Sequence, residues 1–118
     1  MDRDPEVTEE FRRWYETVSG RDQERIRAAV EKLVQDGPTL GRPLVDTLVY
    51  SSVSNLKELR PLGSSIRILF VFDPRRTAVL LLGGDKAGQW NTWYAENVPK
   101  AEGLYDEYLD ELRSEGEL

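Results

Sequence analysis

Residues 56–86 read LKELRPLGSSIRILFVFDPRRTAVLLLGGDK, and the architecture follows from how this stretch is parsed. Three runs rich in aliphatic and aromatic residues, 56–62, 65–72 and 77–83, are separated by Gly63-Ser64 and by Asp73-Pro74-Arg75-Arg76. Those breaks carry the glycine and proline chemistry that joins adjacent antiparallel strands, so the runs are expected to form a meander. In the middle run Ile66, Ile68, Phe70 and Phe72 share one face and Arg67, Leu69 and Val71 the other, because side chains alternate along a strand. The Ile/Phe face is expected to meet helices. Turn length sets register: a two-residue turn at Gly63-Ser64 puts Arg60 opposite Arg67. A four-residue loop over 73–76 puts Phe72 opposite Thr77 and Arg67 opposite Leu82, and Lys86 then emerges at the same end of the sheet.

Working outward towards the N-terminus, Asp4-Pro5 reads as a helix start, a capping residue followed by proline at the first helical position. Val7, Phe11, Trp14, Tyr15 and Val18 recur at helical spacing up to Ser19-Gly20. A second helix is expected over 22–35, with Ile26, Ala29, Val30, Leu33 and Val34 inward and Asp36-Gly37-Pro38 as its stop. Residues 39–55, with Gly41, Pro43 and the serines of 51–54, read as an irregular crossing segment with room for a short strand. Beyond Lys86, Trp90, Trp93 and Tyr94 suggest a short helix. Pro99 then opens a last one, with Ala101, Tyr105, Tyr108, Leu109 and Leu112 inward. The expected fold class is α+β: an N-terminal helical hairpin on a small antiparallel sheet with a C-terminal helix, in one domain over 1–118.

With 39% hydrophobic and 32% charged residues among 118, the composition is that of an ordinary globular domain. The longest apolar run, residues 78–82, is too short to cross a bilayer, and the charged N-terminus has no signal-peptide core, so a cytoplasmic protein is expected. Cysteine and histidine are absent. That removes disulfides, thiol nucleophiles, imidazole catalysis and most zinc chemistry, leaving carboxylates, Lys, Arg, Tyr and Ser; no metal and no cofactor is expected. The net charge of −6 is unevenly spread. Residues 100–118 hold seven acids against Lys100 and Arg113, whereas residues 57–86 hold six basic side chains against Glu58, Asp73 and Asp85. The acidity belongs to the C-terminal helix, and the sheet is basic.

Two arginines facing each other across a sheet repel unless an anion or a carboxylate lies between them. Glu58, on the same face, and the acids of the last helix are the internal candidates; a bound anion is the external one. Arg75 and Arg76 sit at the far end of the middle strand, away from Arg67. Lys57 alternates to the face opposite Arg60 unless the strand bulges near Pro61.

Lys57-Glu58-Leu59-Arg60, the run from Ser65 through Arg75, Leu80-Leu81-Leu82-Gly83-Gly84-Asp85-Lys86, and Trp93-Tyr94 followed by Pro99 and Ala101 together resemble the HigB-like toxins of the RelE/ParE toxin–antitoxin superfamily, in the phage-derived branch. The resemblance implies a ribosome-dependent endoribonuclease that cuts mRNA, held inactive by a helix-turn-helix antitoxin of HigA type, with ribosome and mRNA as further partners and no membrane. It carries the family's basic positions to Arg60, Arg67 and Lys86 as catalytic candidates and to Lys57 as a substrate-binding one; beside that carry-over, Asp85 and Trp90 are read as further substrate-binding candidates. The chemistry suits a site without histidine, since the RNA 2′-hydroxyl attacks its own phosphate and the enzyme orients, neutralises charge and moves two protons. Arg60 and Arg67 fit the charge-stabilising role. Lys86 is a proton-transfer candidate if neighbouring cations depress its pKa, with Asp85 or Glu58 as alternative bases. Trp90, Trp93 and Tyr94 either stack on a base or pack the last helix. Relatives that place a histidine or a C-terminal tyrosine in the site are not matched: residues 114–118 contain no aromatic. Two alternatives stay open, a gyrase-binding ParE-like poison and a degenerate toxin serving only antitoxin binding and autoregulation.

Overall fold

The computed structural model describes residues 4–48, 51, 53, 55–88 and 90–118. Its elements run β1 (Glu6–Val7), α1 (Glu9–Thr17), α2 (Gly20–Asp36), a 3-10 turn (Gly37–Thr39), β2 (Val45–Thr47), β3 (Lys57–Leu59), β4 (Ile66–Phe72), β5 (Ala78–Asp85) and α3 (Trp90–Ser114). The strands form a mixed five-stranded sheet of order β1-β5-β4-β3-β2. This is an α+β fold in which α1 and α2 cover one face and α3 the other.

The alternation along β4 creates both layers. Ile66, Ile68 and Phe70 pack with Phe11, Ile26, Ala29 and Leu33 of the helical hairpin, while Leu69 and Val71 pack with Trp93, Val98, Ala101 and Tyr105 of α3. Each such aliphatic or aromatic side chain taken out of water contributes roughly 1.5–3 kcal/mol, so β4, apolar on both faces, is the centre of the molecule.

The β3–β4 pairing follows the expected register, with Leu59 opposite Ile68 and Glu58 opposite Leu69. The β4–β5 pairing does not. Phe72 lies opposite Ala78 rather than Thr77, and a bulge at Leu69/Phe70 shifts the ladder again, so Arg67 faces Gly84 instead of Leu82. The first shift arises because Asp73 and Thr77 close the loop themselves: Asp73 N–H bonds Thr77 O at 2.9 Å, and the Asp73 carboxylate takes the N–H groups of Arg75 and Thr77. The second arises because the bulge places one extra residue, Leu81, in β5. Val79, Leu81 and Leu82 therefore all lie in the α3 layer. The bulge also settles which glycine faces which helix: a Cβ on Gly83 would strike the Trp14 ring of α1, and one on Gly84 the Trp93 ring of α3.

Three expectations need correction. Asp4-Pro5 does not begin α1. Glu6 and Val7 instead pair in parallel with Val79 and Leu80 of β5, and Thr8 caps the helix by accepting from Phe11 N at 3.0 Å. The β5 edge offers unpaired backbone groups, and a short strand satisfies them; nothing local in the sequence reports that edge. Trp90 and Pro99 do not begin separate helices, since α3 is continuous with Pro99 inside it. Proline removes one helical hydrogen bond, but Trp93 and Val98 before it and Ala101 and Tyr105 after it share one buried face on the sheet, and that packing holds both halves in line. The sheet is also not purely antiparallel, because β1 is parallel to β5.

The crossing segment does contain a short strand, β2, antiparallel to β3. Val49, Tyr50, Ser52 and Ser54 of that segment lie outside the described residues. Among the described residues no helix is long and apolar enough to cross a membrane.

Candidate functional site

The basic side chains are brought together on the α3 face of the sheet, at the end where β3 stops and β4 starts. Glu58 is the hub. Its side chain is 3% exposed; Oε2 accepts from Arg60 Nη2 at 2.9 Å, and Oε1 accepts from the Tyr94 hydroxyl at 2.6 Å. Arg67 Nε lies 3.5 Å from Oε1, an ion-pair distance without hydrogen-bond alignment. Lys86 Nζ donates to the Tyr94 hydroxyl at 3.3 Å and lies 5.2 Å from the Tyr94 ring centroid. Three cations thus gather on one buried carboxylate and one phenol.

Each component is held by a different element. Arg60 follows β3, and its backbone N–H bonds Leu44 O at 2.7 Å. Arg67 lies in β4 and donates Nη1 to Ile66 O at 2.8 Å. Lys86 follows β5, its backbone N–H bonded to Ser65 O at 3.1 Å, which fixes it beside the start of β4. Tyr94 arrives on α3, edge-on to Trp93.

Positions 60, 67 and 86 meet at one end of the sheet, as the turn lengths imply, but they are largely buried there. The side chains of Arg60 and Arg67 are 31% and 13% exposed, and Lys86 as a whole residue is only 4% exposed. Glu58 supplies the internal carboxylate. It does not saturate the site, because the Nε atoms of Arg60 and Arg67 are both buried without a hydrogen-bond partner among the described residues. A buried donor left unbonded is costly, so both guanidiniums are incompletely satisfied in this arrangement.

Burial, joined by the Arg67 charge and opposed by Glu58, lowers the Lys86 pKa. Burial and the hydrogen bond to Glu58 push the Tyr94 hydroxyl well above the usual phenol range. Tyr94 is therefore a donor and bridge, while Lys86 is the group whose protonation state is within easier reach.

The remaining sequence candidates are arranged differently. Lys57 stays on the other face and donates to Thr47 Oγ1 at 3.1 Å, since no bulge intervenes between it and Arg60. It does not join the cluster. Asp85 ends β5 and is used locally: its Oδ1 accepts from Ser65 Oγ at 2.5 Å and from Ala87 N at 2.9 Å. The Ser65 hydroxyl, then the Ala87 amide, hold its carboxyl below the ordinary range, against a smaller opposing effect of burial, which makes it a poor base. Stability carried by a depressed carboxyl is present above its unfolded pKa and is lost as pH falls through the folded one. Ser65→Ala should therefore lessen the loss of stability on acidification below about pH 4, measured by denaturant titration at several pH values; identical acid limbs would count against this hydrogen bond. The side chain of Trp90 lies outside the described residues. Arg75 is held far away by Asp73 and Tyr108.

Two members escaped the sequence reading. The sequence around Tyr94 points only to stacking or packing, and its hydroxyl bridge depends on how α3 lies on the sheet. Asp46, whose Oδ2 bonds Arg42 Nη2 at 3.1 Å and Arg60 Nη2 at 3.2 Å, reaches the cluster because β2 pairs it directly with Glu58. A three-residue strand in an irregular segment leaves no periodic signal for that.

The family described as phage-derived protein Gp49-like matches residues 13–106 of the chain. Over 97 residues the chain is 50% identical to the protein named "Putative toxin HigB3" of Mycobacterium tuberculosis (strain ATCC 25618 / H37Rv), an alignment covering 82% of this chain and 85% of that protein. It is 44% identical over 99 residues to "Putative toxin HigB2" of the same organism, covering 81% of this chain and 49% of that protein, so it spans about half of that relative's length.

Proposed function

The chain belongs to the phage-derived Gp49-like family, and from that premise we propose that it is the toxin of a toxin–antitoxin pair and cuts mRNA on the ribosome. Its relatives carry the toxin name, which supports a cognate antitoxin as partner; in this reading the antitoxin is of helix-turn-helix, HigA-like type, and the ribosome and mRNA are the targets. The observation that carries the nuclease reading is the gathering of Arg60, Arg67 and Lys86 at one end of the sheet, with the Arg60 side chain still 31% exposed. A phosphodiester oxygen is an acceptor that guanidinium N–H groups can bond, and guanidinium keeps its charge throughout.

In this mechanism the 2′-hydroxyl attacks the adjacent phosphorus and the 5′-oxygen leaves, forming a cyclic phosphate. The guanidinium of Arg60, the more exposed of the pair, neutralises the phosphoryl oxygens, with Arg67 behind it. The 2′-hydroxyl proton passes to the neutral amine of Lys86, brought within reach by its lowered pKa, with Glu58, linked through Tyr94, as alternative base; the departing 5′-oxygen takes its proton from the ammonium so formed or from water.

The test is Arg60→Ala and Lys86→Ala, with cuts in translating mRNA mapped by primer extension and folding checked by circular dichroism. Loss of a charge-stabilising donor should reduce cleavage by about 10²–10³-fold. Full cleavage by a folded Arg60→Ala protein would defeat the assignment. The closure of both arginines onto Glu58 favours a second reading, a ParE-like poison that needs no catalytic cluster. Growth arrest without any mRNA cut would select it.

A further inference from the structure

Arg60 is held from two sides. Glu58 is the inner partner, nearly fully buried, whereas the Asp46 side chain is 27% exposed and bonds the same Nη2 from the solvent side. Asp46 and Glu58 lie directly opposite each other on β2 and β3. Two carboxylates so placed repel, and the Arg60 guanidinium between them is what makes the arrangement tolerable. Asp46 has a second cation at hand: Arg42, 78% exposed and four residues earlier, donates to the same Oδ2.

We propose that Asp46 is a latch on Arg60, its carboxylate occupying the outer side of the guanidinium that an RNA phosphate would take, so that anion binding shifts Asp46 onto Arg42 and turns Arg60 outward. Asp46 is thus a positioning residue that keeps the resting site nearly neutral and recessed. The exchange is conservative in charge: one carboxylate–guanidinium contact is replaced by a phosphate–guanidinium contact, and Arg42 retains the displaced carboxylate. Being on the short edge strand β2, Asp46 can move without disturbing the β3–β4–β5 core.

What the latch releases rests on the nuclease reading, but its existence does not, so the test has a readout without RNA. Modification of Arg60 by an arginine-selective dicarbonyl reagent, followed by peptide mass mapping, reports how tightly the guanidinium is held. Asp46→Asn should raise the Arg60 modification rate about three- to fivefold, the scale of a partly exposed ion pair, while Asp46→Glu stays near the native rate. Arg42→Ala should slow it, because Asp46 then serves Arg60 alone. An unchanged rate in Asp46→Asn, or an equal rise in Asp46→Glu, overturns the latch. The same variant should bind a single-stranded RNA oligonucleotide more tightly, because Arg60 no longer has to be freed from Asp46 before it meets the phosphate, and the gain should vanish in the Arg60→Ala background. A gain that survives Arg60→Ala would reflect net charge and also overturns the latch. Faster modification in Asp46→Asn, with neither this variant nor the native protein binding RNA or cutting mRNA, leaves the latch standing and removes the nuclease reading instead.

Discussion

Glu58→Ala is expected to lower the unfolding free energy by about 3–5 kcal/mol, because removing one partner from a buried ion cluster leaves its opposite charges uncompensated. The case is strong here since one carboxylate serves Arg60, Arg67 and the Tyr94 hydroxyl together. Lys86 would lose the negative charge that opposes the lowering of its pKa, and Tyr94 would lose its acceptor. Glu58→Gln keeps the volume and an acceptor oxygen for Tyr94 but not the charge, so it separates the two contributions. It should be the milder variant and should still lower the Lys86 pKa further, as followed by the pH titration of its side-chain NMR signal. Urea unfolding of the three proteins measures the stability change. A loss below about 1 kcal/mol in Glu58→Ala, the worth of an ordinary exposed pair, would mean that the cluster is not held together by this residue.

Gly84→Ala comes next in size. A Cβ at Gly84 would lie 2.5 Å from Trp93 Nε1 and 3.0 Å from two further ring atoms, so the indole must shift. Trp93 is 6% exposed within the α3 layer, and overpacking in such a place costs about 1–3 kcal/mol. For a domain of this size that is on the order of a 10 °C fall in Tm. The consequence extends to the site, because Tyr94 follows Trp93 and its hydroxyl holds Glu58 and Lys86 together. We therefore expect lower mRNA cleavage along with the lower Tm. Gly83→Ala presses instead, still more closely, on the Trp14 ring in the other layer; it should also destabilise but spare cleavage. Equal behaviour of the two alanine variants in cleavage would contradict the coupling through Trp93.

The glycine pair also shows where sequence reasoning stops. That Gly83-Gly84 follows an apolar run is visible directly. Which glycine faces which helix depends on the bulge that inserts Leu81, and a bulge is a negotiation between two strands. The same holds for the expected pairing of Arg67 with Leu82. One added loop residue and one bulge moved it to Gly84, and that shift leaves the space over Gly84 that the Trp93 indole fills.

The candidate site was partly legible for a similar reason. Arg60, Glu58 and Arg67 lie on two adjacent strands joined by a short turn, so alternation and turn length suffice to bring them together. Lys86 follows because the next strand returns to the same end. Asp46 and Tyr94 come from an edge strand and a helix whose placement depends on long-range packing, and the pattern around them carries no trace of it.

The two N-terminal helices, the three-strand meander, the two apolar faces of β4 and the family likeness are written in the chain, since they depend on residue periodicity, turn chemistry and motif order, all of which act over a few neighbours. The docking of β1 on the β5 edge, the unbroken course of α3 through Pro99, and the closing of Asp46, Glu58 and Tyr94 around three cations arise only when distant segments meet. Backbone groups at a sheet edge and charges in a buried cluster are satisfied by whatever the folded chain brings to them, and that partner has no local signature.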